Sequence, residues 1–308
     1  MARLLLSKGS RGALVRRAQT GLRGEGFDPK RLDGDYGDDT GKAVAAFRRA
    51  KGLGGAPDVD VKTWQQLTGL PVPGIRERAL QVTAAFEGHG FTLVQGNYDG
   101  AGLTWGIIGF TLKAGGLSRI VLELNRTHPE VVERAFGAKR AELLAMLRAP
   151  KPRQLRWGTS ISAGPKKARV IEPWRTAFHR LGESKEAQAL QISLADRSYF
   201  QPARATARQL GLRTELGLAL CFDIHVQNGG LSPKARAELR RDLAAHPVKN
   251  ERERRVVLAN AVADTAKPRW REDVRSRKLT LAVGTGRVHG RTYVLRNWGL
   301  DEIAVSLR

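Results

Sequence analysis

The sequence predicts a mostly helical chain in two parts, a small three-helix module followed by a larger α+β domain with a small sheet. Three observations carry that expectation. Apolar residues recur at three- and four-residue spacing through most of the 308 residues, the mark of amphipathic helices. One glycine-dense stretch, residues 88–116, breaks this pattern with β-branched and aromatic residues between turns, as short strands do. The segment GLPVPG, residues 69–74, places two prolines between two sets of helical patterns and reads as a connection between separate cores. The expected division is a first domain at 1–70, a linker at 71–75 and a second domain at 76–308.

In the first domain, residues 11–24 place Leu14, Val15, Ala18 and Leu22 on one helical face, and Gly24 stops it. A second helix at 40–51, started by Thr40, buries Val44 and Phe47, and a third at 61–68 turns Trp64 and Leu67 inward. The turn-rich FDPKRLDGDYGDD joins the first two. The second domain opens with a helix at 75–87 that closes on Glu87. After the glycine-dense stretch, helical patterns resume at 117–128, 131–147, 174–195, 202–211, 213–227, most of 231–265 and near 268–279. The chain then runs through GTGRVHGRTYVLRNWGL.

The charge narrows the class of partner. The net charge is +23, with 13 Lys+Arg against 8 Asp+Glu in residues 1–70 and 40 against 22 in the remainder. Such a surface is drawn to polyanions, among them nucleic acid, bacterial wall polymers and lipopolysaccharide. The basic residues are dispersed rather than gathered in a tail, which argues against a disordered nucleic-acid arm. The six histidines are scattered, and there is no zinc spacing, Walker A loop or dinucleotide fingerprint, so no metal and no cofactor are expected. Cys221, the one cysteine, lies in the apolar run LALCFDI and is expected as a buried thiol. The start MARLLLSKGSRG is too short in apolar residues for a typical signal peptide, and no stretch reaches membrane-spanning length. The expectation is a monomer without an obligate protein partner or transmembrane segment, made in the cytoplasm.

The first domain resembles a known family on specific residues. KGSRGALVRRAQTGLRGEGF, LDGDYGDDTGKAVAAFRRAKGL and DVDVKTWQQLTGL are similar to the three-helix peptidoglycan-binding modules, with matches at Asp33, Gly34, Tyr36, Gly37, Thr40, Ala43, Val44, Phe47, Gly52, Leu53, Thr63, Trp64 and Leu67. The chain departs from that pattern at GGAPDVDV. The resemblance implies wall binding, with contacts expected on the Asp33–Asp39 loop (Asp33, Asp35 and Tyr36) and near Trp64.

Two carboxylates stand out in the second domain. Glu87 closes a helix whose preceding residues, Leu80, Val82, Ala84, Ala85 and Phe86, are apolar, a setting that raises a carboxyl pKa and suits a general acid. Asp99 follows in NYDGAG, a polar turn in which a carboxylate stays ionised, and Thr104 comes next at a strand position. Two carboxylates in unlike surroundings are what glycoside hydrolysis requires. AFEGHGF and DGAGLTWGIIGFT resemble the active-site region of the glycoside hydrolase family 46 chitosanases, members of the lysozyme superfamily with two lobes. Phage-type lysozymes share a looser version of the pattern. The similarity continues through QISLADRSYFQPARATARQLGLRTELGLALCFDIHVQNGG. It implies Glu87 as acid, Asp99 as base or stabiliser of positive charge, Thr104 as holder of the water, and inversion at the anomeric carbon. It also implies a supporting network around Asp223, with Arg197 and Arg275 in it; Arg271 and Arg277 are alternative partners of Asp223.

The substrate expectation rests on charge. Chitosan is a polycation where it dissolves and should be repelled by this chain, whereas peptidoglycan and lipopolysaccharide should attract it. With the first domain, this argues for a phage or prophage endolysin that cleaves the β-1,4 backbone of peptidoglycan as a muramidase, released to the periplasmic wall by a separate permeabilising protein. The alternatives are a chitosanase acting on β-1,4 glucosamine polymers, a lytic transglycosylase, a bacterial effector or tail-associated lysin, and a non-enzymatic wall-binding protein.

Overall fold

The computed structural model describes residues 3–88 and 90–307. The chain divides into two compact units, one made of Met1–Phe86 with Tyr199–Arg308 and the other of Glu87–Ser198. Each contains helices, and the small sheets are antiparallel.

The first unit begins with the three-helix module. Strand Leu4–Leu6 pairs with Val59–Asp60, and helices Ala13–Gly24, Asp38–Ala50 and Val61–Thr68 enclose a core of Leu14, Val15, Leu22, Val44, Phe47, Trp64 and Leu67. The close approach of the first and third helices depends on Gly21, whose Cβ would meet the Leu67 carbonyl at 2.4 Å. Asp60 caps the third helix by accepting from the Thr63 amide at 2.8 Å. Thr40 does not start the second helix as expected. The helix begins at Asp38 after Gly37, and Thr40 is buried inside it, where the Gln19 amide donates to its hydroxyl at 3.1 Å.

The module has its own core, yet it is bonded to the rest of its unit. Ser7 donates its amide to the Asn297 carbonyl at 3.0 Å, and Ala13 donates to the Gln81 side chain at 2.7 Å. Arg3 and Arg78 both reach the buried Glu215 carboxylate. These bonds put the module, the segment at 71–75 and the helix Ile75–Glu87 up to Phe86 in one compact unit.

The remainder of this unit is built around helix Glu215–Asn228, buried continuously from Glu215 to Ile224. Cys221 lies within it, and burial pushes its thiol well up from its ordinary range. Helices Gln201–Gln209, Glu251–Asp264 and Arg271–Val283 surround it. The GTGRVHGRTYV segment forms a hairpin, Thr285–Val288 with Arg291–Val294, closed by His289 and Gly290 at φ 49° and 77°. Two left-handed residues in a two-residue loop match the twist of the strands they join.

The second unit carries a three-stranded sheet, Val94–Gln95, Thr104–Trp105 and Phe110–Thr111, in which Thr104 pairs with Gln95 and Thr111. Trp105, Phe136, Trp157, Trp174 and Phe178 form an aromatic core beside it. Three long expected helices are each two. The 131–147 pattern breaks at Gly137, in the left-handed region at φ 50°, into Pro129–Phe136 and Arg140–Arg148. The 174–195 pattern divides at Ser184, whose hydroxyl caps the next helix at the Ala187 amide. The 231–265 pattern divides into Pro233–Ala245 and Glu251–Asp264 around His246–Pro247. Helix Lys151–Ser160 was not expected. Its apolar residues are few, and Pro152 in its first turn is compatible with helix only there.

Candidate active site

Glu87, Asp99 and Thr104 all belong to the second unit. Glu87 is the last residue of helix Ile75–Glu87 and is half-buried, while Phe86 before it is 1% exposed. Asp99 is exposed in the turn after the first strand, where one carboxylate oxygen accepts from the Ala101 amide at 3.0 Å. Thr104 is 6% exposed in the central strand, and no side-chain hydrogen-bond partner occupies its hydroxyl among the described residues.

The Asp99 turn is held from several sides, and the residue that anchors it was missed in the sequence. Asn97 accepts from the Gly102 amide at 2.7 Å, donates through its side chain to Thr159 at 2.7 Å, and donates its own amide to the Ser162 hydroxyl at 3.0 Å. Gly96 donates to the Ala168 carbonyl at 2.9 Å, and a Cβ there would meet the Lys167 carbonyl at 2.2 Å. Downstream, the Gln191 side-chain oxygen Oε1 accepts from the Ile107 amide at 2.9 Å and closes against Gly106, which sits at φ 89°. The glycines of the DGAGLTWG stretch therefore serve backbone turns and close approaches.

Tyr98, also missed, is an exposed aromatic beside Asp99. Its phenol is pushed up from the ordinary range, first by partial burial and then by the negative charges of Asp99 and Glu87. It thus lies within electrostatic reach of both carboxylates.

In the first unit, Asp223 is 0% exposed, and its carboxylate is held by Arg277 at 2.7 Å, Lys278 at 2.5 Å and Thr83 at 3.1 Å. Burial alone would raise its pKa; the charges and hydrogen bonds of Arg277 and Lys278 outweigh that and hold it at about 2. The expected partners are corrected here. Arg275 turns to Asn260, Asp264 and Glu272, and Arg197 is exposed in the other unit, near the Arg126–Glu123 pair. Of the alternatives, Arg277 is the partner. Lys278 had no signal of its own because it follows Arg275 and Arg277 in one basic run.

Two expected wall contacts are corrected as well. Tyr36 is 3% exposed and donates its hydroxyl to the Pro57 carbonyl, and Trp64 is 1% exposed and donates its indole N–H to the Pro71 carbonyl. Both are core residues that no wall polymer reaches. Asp33 and Asp35 are exposed; Asp33 accepts from the Gln19 side chain and the Asp35 amide, and Asp35 pairs with Arg11 at 3.6 Å.

A helix-terminal glutamate and a loop aspartate in one unit are the residue types that glycoside hydrolysis uses as a carboxylate pair. A model of glycosyl hydrolase family 46 matches residues 83–255, and a peptidoglycan binding domain model matches residues 11–58. The chain belongs to glycosyl hydrolase family 46, and it carries an N-terminal module of the peptidoglycan-binding type. The chitosanase of Bacillus subtilis (strain 168) is 30% identical over 159 residues, which are 50% of this chain and 51% of that protein. The chain thus spans about half the length of the curated relative it matches. The native chitosanase from Bacillus subtilis MY002 superposes with a TM-score of 0.50 at 21% identity, over 73% of this chain and 99% of that one. The Gynuella sunshinyii family 46 chitosanase in complex with chitotetraose gives 0.50 at 18% identity, over 73% and 99%. Both share the fold.

These matches overturn the muramidase expectation. Residues 83–255 fall in glycosyl hydrolase family 46, and the curated relative that matches is a chitosanase and not a lysozyme-type muramidase. The error lay in letting a whole-surface charge decide the substrate: net charge governs long-range encounter, while the bond that is cut is selected within hydrogen-bond range.

Proposed function

We propose that this protein hydrolyses β-1,4 linkages of glucosamine polymers, a chitosanase-type activity. The family 46 match over residues 83–255 carries the proposal, because it spans Asp99, Thr104 and the helix end at Glu87. In this mechanism Glu87 protonates the leaving glycosidic oxygen. Asp99, solvated and in a pinned turn, takes a proton from the attacking water, which the open hydroxyl of Thr104 helps to hold. Water attacks the face opposite the leaving group, so the configuration inverts. Arg277 and Lys278 on Asp223 secure the helix that ends at Glu87 through Thr83.

We further propose that peptidoglycan is the anchor and not the polymer cleaved. The module match supports this setting, with the exposed Asp33 and Asp35 as wall contacts, and the +23 charge adds attraction to wall polymers and lipopolysaccharide. A phage or prophage origin, with delivery to the periplasmic wall by a separate permeabilising protein, is our proposal for how the enzyme reaches that anchor; its gene neighbourhood tests it.

The decisive experiment is mass spectrometry of the products from fully deacetylated chitosan oligomers, with wild type and Glu87→Gln compared. Shorter glucosamine oligomers from wild type, and a loss of at least about 10²-fold in the variant, are expected. Intact oligomers with the wild-type enzyme would refute the activity.

A further inference from the structure

The helix that ends at Glu87 exposes its last carbonyls, as every helix does, and two of them are taken by the C-terminal hairpin. Tyr293 donates its hydroxyl to the Ala85 carbonyl at 3.3 Å, and the His289 ring, through Nδ1, bonds the Phe86 carbonyl at 3.0 Å. The other ring nitrogen, Nε2, lies 2.5 Å from the Asp273 carboxylate. The ring therefore bridges the Phe86 carbonyl and the Asp273 carboxylate, one nitrogen to each.

The bracing continues behind the ring. Asp273 accepts from the Gln227 side chain at 3.0 Å, Gln227 accepts from Lys278 at 2.6 Å, and Lys278 binds Asp223, which in turn accepts from Thr83. The Arg277 guanidinium lies 5.3 Å from the centre of the Phe86 ring, and Tyr293 packs edge-on against the same ring at 4.8 Å. The last turn of the helix is thus gripped from several sides, and the residue that follows Phe86 is Glu87.

We propose that His289 is a positioning residue for Glu87: its ring ties the Phe86 carbonyl to Asp273 and so fixes where the helix end delivers the next side chain. This rests on the role of Glu87 proposed above. Asp273 is the charged group that the ring bonds.

The test compares His289→Ala and His289→Asn with wild type in the full chain. Asparagine suits the left-handed backbone at φ 49° and keeps one N–H for the Phe86 carbonyl. In His289→Ala, kcat on chitosan oligomers should fall about tenfold or more with KM unchanged, the cost of a misplaced catalytic group. His289→Asn keeps the Phe86 bond but has no group to reach Asp273, so it should recover part of that loss. A kcat within twofold of wild type for His289→Ala, or a loss that asparagine repairs in no part, would overturn the proposal. The carboxyl 13C chemical shift of Glu87 separates this from failure of the chitosanase assignment. It should move in His289→Ala and lie closer to wild type in His289→Asn whatever the substrate proves to be; an unchanged resonance in His289→Ala also overturns the positioning role.

Discussion

Replacing Asp223 by Asn removes the buried negative charge that Arg277 and Lys278 both contact. The side chains of Asp223, Arg277 and Lys278 are 0%, 2% and 0% exposed. Breaking a buried ion pair by removing one partner costs about 3–5 kcal/mol, because the remaining charge is left uncompensated. For a unit of this size each kcal/mol lowers Tm by roughly 2–4 °C, so a fall of at least about 6 °C is expected near pH 7. The effect should depend on pH in one direction. The carboxyl is held at about 2 against an ordinary value of 3.8, so its stabilisation is fully present above that ordinary value and is lost as pH falls toward 2. That difference corresponds to a linkage of about 2–3 kcal/mol. Urea denaturation of wild type and Asp223→Asn at neutral pH, and again in acid, measures both quantities. A loss below about 1 kcal/mol at neutral pH, or a gap that stays constant in acid, would refute the claim that this buried carboxylate offsets the two cations.

Asp99→Asn should lower turnover on chitosan oligomers by about 10²-fold or more with Tm unchanged, since the side chain is exposed and makes one bond to its own turn; a nearly normal rate would remove Asp99 from the chemistry. Gly96→Ala should lower both Tm and kcat, because its Cβ would meet the Lys167 carbonyl at 2.2 Å and the Arg169 carbonyl at 2.7 Å and push the strand that leads into the Asp99 turn; thermal melts and oligomer kinetics read both, and an unperturbed variant would show the approach to be soft.

The parts of the site that could be read from the sequence were those with local signals. Glu87 at a helix end and Asp99 in a glycine-rich turn lie in the elements that local pattern predicts, while their selection as a pair came from the family resemblance; the three module helices follow from apolar periodicity. What was not legible depends on distant partners. Asn97 looks like any turn asparagine, and its importance comes from Thr159, 62 residues away. Tyr36 carries the composition of a binding surface as much as that of a core, and only packing shows that it is inside, whereas the helical spacing already turned Trp64 inward. Arg275 and Arg277 are chemically identical in the sequence; the helix turns one toward Asp223 and the other toward Asp264.

The charge that misdirected the substrate assignment makes a prediction of its own. A surface of net charge +23 attracts a sacculus, which carries carboxylates, and repels a glucosamine polymer whose amines are protonated. Both effects act over distance and are screened by salt, while the contacts that select a sugar act at hydrogen-bond range and are much less so. If the wall is the anchor and the glucosamine polymer is the substrate, salt must move the two interactions in opposite directions. Raising ionic strength from about 0.01 M to about 0.1 M shortens the screening length from about 30 Å to about 10 Å. Over that range the fraction of protein that pellets with purified sacculi should fall, and kcat/KM on long soluble chitosan should rise and then level. The rise should be smaller on short oligomers, which carry fewer charges into the encounter. Glu87→Gln should pellet like wild type, because anchoring does not use the catalytic carboxyl. A chitosan rate that falls with salt in parallel with sacculus binding would mean that this basic surface delivers the enzyme to an anionic glycan, and the assignment of anchor and substrate to different polymers would fail.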